Sequence, residues 1–75
     1  MKKVGYINMT NDLVVSIYDD IKFNKTLLKT TSPREDLIDL LINKINASTN
    51  QFILIKTYGK EYYLNKSNIV MIVKN

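Results

Sequence analysis

One helix-start signal does most to limit what this 75-residue chain can fold into. Ser32-Pro33-Arg34-Glu35 puts a serine before a proline, with a glutamate three positions after the serine. A serine oxygen there can accept an N–H of the first turn, and proline's fixed φ suits the first helical position. The glutamate can reach back to the serine N–H, and Glu35 and Asp36 lie where the helix dipole favours negative charge. The signal predicts a helix over about residues 33–46. Its body, Leu37 to Ile45, is made of good helix formers. On a helical wheel Leu37, Ile38, Leu41, Ile42 and Ile45 form one broad apolar arc, and Leu40 widens its edge. Asp36, Asp39, Asn43 and Asn46 make the wet face. The arc is wider than a helix lying on one flat sheet needs, so a curved sheet or another subunit is expected against part of it.

On both sides of the helix the period changes to that of strands. Val4 to Met9 and Leu13 to Tyr18 are β-rich and separated by Thr10-Asn11-Asp12, which suits a hairpin turn. Leu13, Val15 and Ile17 alternate with Val14, Ser16 and Tyr18, so one face reads as buried. Asp19-Asp20 reads as a turn before a strand running from Ile21 through Phe23 to Leu28. After a loop at Ala47-Ser48-Thr49-Asn50, Phe52 to Thr57 reads as a strand and Tyr58-Gly59-Lys60 carries a hairpin glycine. Glu61 to Leu64 returns, Asn65 to Asn68 turns, and Ile69 to Val73 makes a last strand. That last strand is apolar on both faces, which suits the centre of a sheet or a subunit contact. The fold expected is α+β: a single domain over residues 1–75 with one antiparallel sheet of four to five strands. A single amphipathic helix packs on one face, in the order strands, helix, strands.

A chain this short has little core to spare. Ordering entropy of roughly 1.5 kcal/mol per residue nearly cancels the hydrophobic burial available, and natural domains of this size usually add a disulfide, a metal or a partner subunit. Cysteine and histidine are both absent. Their absence removes disulfides, thiol and Ser–His chemistry, and soft-metal cages. Gly5 and Gly59 stand alone, so neither belongs to a phosphate-binding loop. Asp19, Asp20, Glu35, Asp36 and Asp39 are accounted for by turns and by the helix start. The expectation is therefore a protein that is not an enzyme, with no catalytic residues, cofactor or metal, and that associates with itself as a homo-oligomer. No stretch reaches the ~18 apolar residues of a membrane span, and polar residues soon interrupt the segment after Lys2-Lys3, so no signal peptide is read. Cytoplasmic is the default. The leaning toward Ile, Lys and Asn matches AT-rich coding in a bacterium or phage and carries no functional weight.

Two binding readings follow. The first is a small protein acting through protein–protein contacts, as an adaptor, regulatory subunit or inhibitor, with Leu40, Ile42, Ile69 and Met71 at the interface. The alternative is RNA or single-stranded DNA on a basic, tyrosine-rich hairpin, through Lys56, Tyr58, Lys60, Tyr62 and Lys66. Strand alternation sets Lys56 and Tyr58 on one face there, with Tyr62 and Lys66 near them across the turn. The net charge of +4 is unevenly spread: residues 50 to 75 hold four lysines against one glutamate, whereas the helical part is slightly acidic. Against the alternative, tyrosine is common in strands, edge lysines block unwanted pairing, and Arg34 is the sole arginine available for a bidentate phosphate clamp. The acidic bias of the helix also disfavours a membrane-surface role.

Overall fold

The computed structural model describes residues 1–75 and has the α+β class, the single helix and the element order read from the sequence. The strands divide between two antiparallel sheets instead of sharing one. Sheet A has three strands in the order β2-β1-β7: β1 is Lys3–Met9, β2 is Val14–Tyr18 and β7 is Ile69–Lys74. Sheet B has four, in the order β4-β3-β5-β6: β3 is Lys22–Phe23, β4 is Thr26–Leu27, β5 is Phe52–Thr57 and β6 is Lys60–Asn65. The helix α1, Leu37–Ala47, joins the two halves of the chain. No helix is long and apolar enough to cross a membrane.

Neither sheet is wide enough to make a core alone, and the two share one. Ile7 and Met9 from β1, Val15 and Ile17 from β2, and Ile53, Ile55 and Leu64 from β5 and β6 are buried together with Ile38, Leu41 and Ile45 of the helix. Leu37, Leu40 and Ile42 are only partly buried, at the margin of this cluster. The broad apolar arc thus has a simple cause: its centre closes the core and its flank lies half open. Gly5 permits the close packing. A Cβ there would stand 2.2 Å from the Val73 carbonyl oxygen and 2.9 Å from Ile38 Cδ1. Only glycine lets β7 and the helix both close on β1 at that point.

The helix begins four residues later than the sequence signal indicates. Ser32-Pro33-Arg34-Glu35 makes a separate turn, in which Glu35 N–H donates to the Ser32 carbonyl and Arg34 N–H donates to Ser32 Oγ. Glu35 reaches back to the N–H and hydroxyl of Thr31 rather than to Ser32. Asp36 is the true cap, its carboxylate accepting from Ile38 N–H at 2.8 Å and Asp39 N–H at 3.3 Å. An ionised cap is favoured at the positive end of the dipole, and proline fits the second position of a turn as well as a helix start. At the other end Lys66 donates to the carbonyl of Ser48, the C-cap residue, and so places a cation at the negative end of the helix.

Two short hairpins shape sheet B. The expected single strand from Ile21 to Leu28 is instead β3 and β4 joined at Asn24-Lys25, both in the left-handed region, with φ of 48° and 73°. Tyr58-Gly59 joins β5 to β6 in the same manner, with φ of 52° and 74°. Two consecutive positive φ values match a two-residue turn whose twist suits antiparallel strands. β7 also departs from the expectation of a central strand. It pairs with β1 alone and forms an edge of sheet A.

The position of the cap is directly testable. Asp36→Ala is expected to lower the unfolding free energy in urea by about 1 kcal/mol, whereas Ser32→Ala should change it by a few tenths at most. The reverse ranking would return the helix start to Ser32.

Candidate functional site

Sheets A and B are fastened at one seam, and the candidate surfaces are arranged around it. Thr57, the one polar side chain among the buried residues, accepts the Tyr18 N–H at 3.0 Å and donates its hydroxyl to Asp20 Oδ1 at 2.7 Å. Asp20 also accepts the Tyr58 N–H, at 2.9 Å through Oδ2. The rings of Tyr18 and Tyr58 stack with centroids 4.5 Å apart, and this contact helps hold Tyr58 in its left-handed turn conformation. Tyr62, Lys60, Val14 and Ser16 complete a shallow hollow around the stacked pair.

This geometry separates the residues proposed for the hairpin. Tyr58, Lys60 and Tyr62 do meet, in that hollow. Lys56 does not join them: it lies on the outer face of sheet B, with Glu61 opposite at 3.9 Å on one side and Lys22 opposite on the other. Lys66 is remote from both, bound to the end of the helix. Tyr58 leaves the Lys56 face because it is a turn residue, and strand alternation ends at Thr57. In exchange, the outer face of sheet B sets Lys56 among side chains that were not assigned to the hairpin. Phe52, Leu54 and Lys56 alternate outward along β5, with Tyr63 opposite Leu54 on β6. Lys22, Lys25, Lys56, Leu54 and Glu61 line a second hollow on that face. Phe52 is 60% and Tyr63 74% exposed. The period of two in Phe52-Ile53-Leu54-Ile55-Lys56 carried the signal for Phe52; Lys25 depended on an unrecognised turn.

The residues proposed for a protein interface lie nearer one another. Ile42 and Ile69 face one hollow, with Ile45, Ile72, Asn46 and Lys66. Leu40 is on the partly buried margin of the helix and outside that hollow. Met71 is 49% and its neighbour Val70 58% exposed. Beside them Lys74 donates to Asp39 at 2.9 Å and lies 4.0 Å from Asp36. The hydrogen bond to Asp39 and the charges of Asp39 and Asp36 outweigh desolvation and hold Lys74 above the ordinary lysine value of 10.5. Because the pKa is raised, any stability this contact adds is complete below 10.5 and fades as pH climbs through the raised value.

Most carboxylates have structural partners. Asp20 serves the seam, Asp36 caps the helix, Asp39 meets Lys74, Glu35 holds Thr31 and Glu61 faces Lys56. No three acidic side chains converge in a way that would hold a metal ion. Comparison with protein-family models, with characterised proteins and with solved structures finds no match, so the functional reading rests on this geometry.

The seam makes its own prediction. Thr57→Val keeps the volume but leaves Asp20 and the Tyr18 N–H short of a partner. It is expected to lower the urea-unfolding free energy by about 1–3 kcal/mol. An unchanged midpoint would mean that the hydroxyl contributes nothing to joining the sheets.

Proposed function

We propose that this is a non-catalytic binding protein that works through protein–protein contacts, and that β7 is its contact strand. The observation that carries the reading is the state of the sheet edges. Exposed edge strands are normally kept short, charged or covered, because unpaired N–H and C=O groups invite another strand. Three of the four edges here have such protection. β4 is two residues long, β6 begins Lys60-Glu61, and β2 gives its Tyr18 N–H to Thr57 across the seam. β7 has none along Ile69-Val70-Met71-Ile72-Val73: there is no charge, no proline and no covering strand. Apart from the Ile69 N–H, which donates to the Lys66 carbonyl, the strand's backbone bonds run to β1, and from Val70 onward no second strand takes up its outer side.

An edge of this kind accepts an extended apolar segment by strand addition, main-chain bonds giving affinity and side-chain pockets giving fit. The hollow between Ile42, Ile69 and Ile72 provides such a pocket beside the edge. A second copy of the chain is the first occupant, since an antiparallel β7 pair matches apolar to apolar on both faces of the sheet. Lys74, the one charge on the strand, is already balanced by Asp36 and Asp39 and does not oppose the approach. A strand from a foreign protein would use the same edge, which is how an adaptor, regulatory subunit or inhibitor of this design would work. The reading sets that work in the cytoplasm, where a chain without cysteine needs no oxidising compartment.

Sedimentation tests it. Wild-type protein is expected as a species of twice 8.7 kDa, and Met71→Lys, a charge on an exposed position, as a folded monomer. A wild-type monomer at millimolar concentration, or a dimer indifferent to Met71→Lys, would remove β7 as the self-association strand.

A further inference from the structure

We propose that the outer face of sheet B is a binding site for single-stranded nucleic acid, independent of the β7 edge. The site consists of the exposed rings of Phe52 and Tyr63 and the amines of Lys22, Lys25 and Lys56. It shares only Lys56 with the residues read as the tyrosine hairpin: Tyr58, Lys60 and Tyr62 line the hollow at the seam, and Lys66 lies at the end of the helix.

Three observations define the ligand. First, the face holds a cluster of positive charge that is only partly relieved. Lys22 and Lys56 stand directly opposite each other on β3 and β5, a like-charge pairing that is unfavourable across a ladder, and Lys25 shares their hollow. Glu61, 3.9 Å from Lys56, answers only one of the three. A bound polyanion would supply the missing countercharge. Second, Phe52 and Tyr63 are among the most exposed large side chains of the protein, and they are held on the outward side of two paired strands, with Leu54 directly opposite Tyr63. Rings exposed on a sheet face provide the stacking platform that unpaired bases use, with lysines alongside to meet the phosphates. Third, β3 and β5 are interior strands of the sheet, paired with each other at Lys22–Lys56 and Phe23–Ile55. A ligand lying on this face, away from the strand edges, binds flat against side chains. That geometry suits planar bases better than a peptide strand. The lack of any arginine on the face removes the bidentate fork used for reading base edges, so binding should tolerate any sequence.

The left-handed turn at Asn24-Lys25 serves the site. Lys25 occupies, at φ 73°, a position where glycine is preferred, and it presents its amine beside Lys22. Asn24 secures the turn, its Oδ1 accepting the Leu54 N–H at 3.0 Å while its own N–H donates to the Leu54 carbonyl.

Fluorescence anisotropy with labelled RNA and DNA single strands of about 12 nucleotides tests the site directly, with duplex DNA alongside. Both single strands are expected to bind at low salt and more tightly than duplex. Lys22→Gln and Lys56→Gln should each flatten the dependence of log affinity on log salt by about 0.7. Phe52→Ala with Tyr63→Ala should weaken binding about tenfold or more, while Phe52→Tyr with Tyr63→Phe keeps it, since any flat ring can stack. All four positions are exposed, and circular dichroism is expected to match wild type for each variant. No binding at low salt would overturn the proposal. So would affinity unaffected by removal of both rings, or displacement by polyglutamate as complete as by RNA, which would mark the face as a general acid-binding patch.

Discussion

Two small sheets at the seam of Thr57, Asp20 and Tyr18 have to behave as one core, and the rest of the structure follows from that requirement. A three-stranded and a four-stranded sheet of this length cannot each bury enough apolar surface to stand alone. By facing each other they share Ile7, Ile17, Ile53 and Ile55, and the helix closes the open side with Ile38, Leu41 and Ile45. The Thr57 hydroxyl is the buried polar joint of this arrangement, and every one of its partners lies on the segment that passes from sheet A to sheet B. Sharing a core inward leaves two faces and the strand edges outward, where the candidate surfaces are found.

The two surfaces differ in what they offer. At β7 the exposed chemistry is backbone and aliphatic, and the occupant proposed for it is another strand. On the outer face of sheet B the exposed chemistry is that of side chains: rings and amines. Edges recruit strands and faces recruit flat or charged ligands, so the two surfaces need not compete. A dimer joined at β7 would present two sheet B faces, and a long single strand touching both would gain from their effective concentration.

The helix body, its apolar arc and the strands Phe52–Thr57 and Val14–Tyr18 were legible in the sequence, because period and composition determine them locally. The helix start was not, because two capping signals overlap and the aspartate at position 36 outcompetes the serine at 32. The Asn24-Lys25 turn was hidden because a lysine occupies a place where glycine is the usual marker. The division into two sheets and the edge position of β7 could not be read at all. A continuous apolar run looks the same whether both neighbours or only one are present, and only tertiary pairing decides between them. The hairpin residues were misplaced for a related reason: alternation was carried one residue too far, through the turn at Tyr58. Carried correctly along β5, the same rule puts Phe52 with Lys56.

Whether the outer edge of β7 takes up a partner strand, as proposed, can be read from amide hydrogen exchange resolved by residue. Along residues 70–74 the amides bonded to β1 should be protected at every protein concentration. The alternate, outward amides should exchange freely when dilute and gain protection as concentration rises. Outward amides that stay unprotected at all concentrations and with any bound protein would show that β7 is a bare edge and recruits no strand.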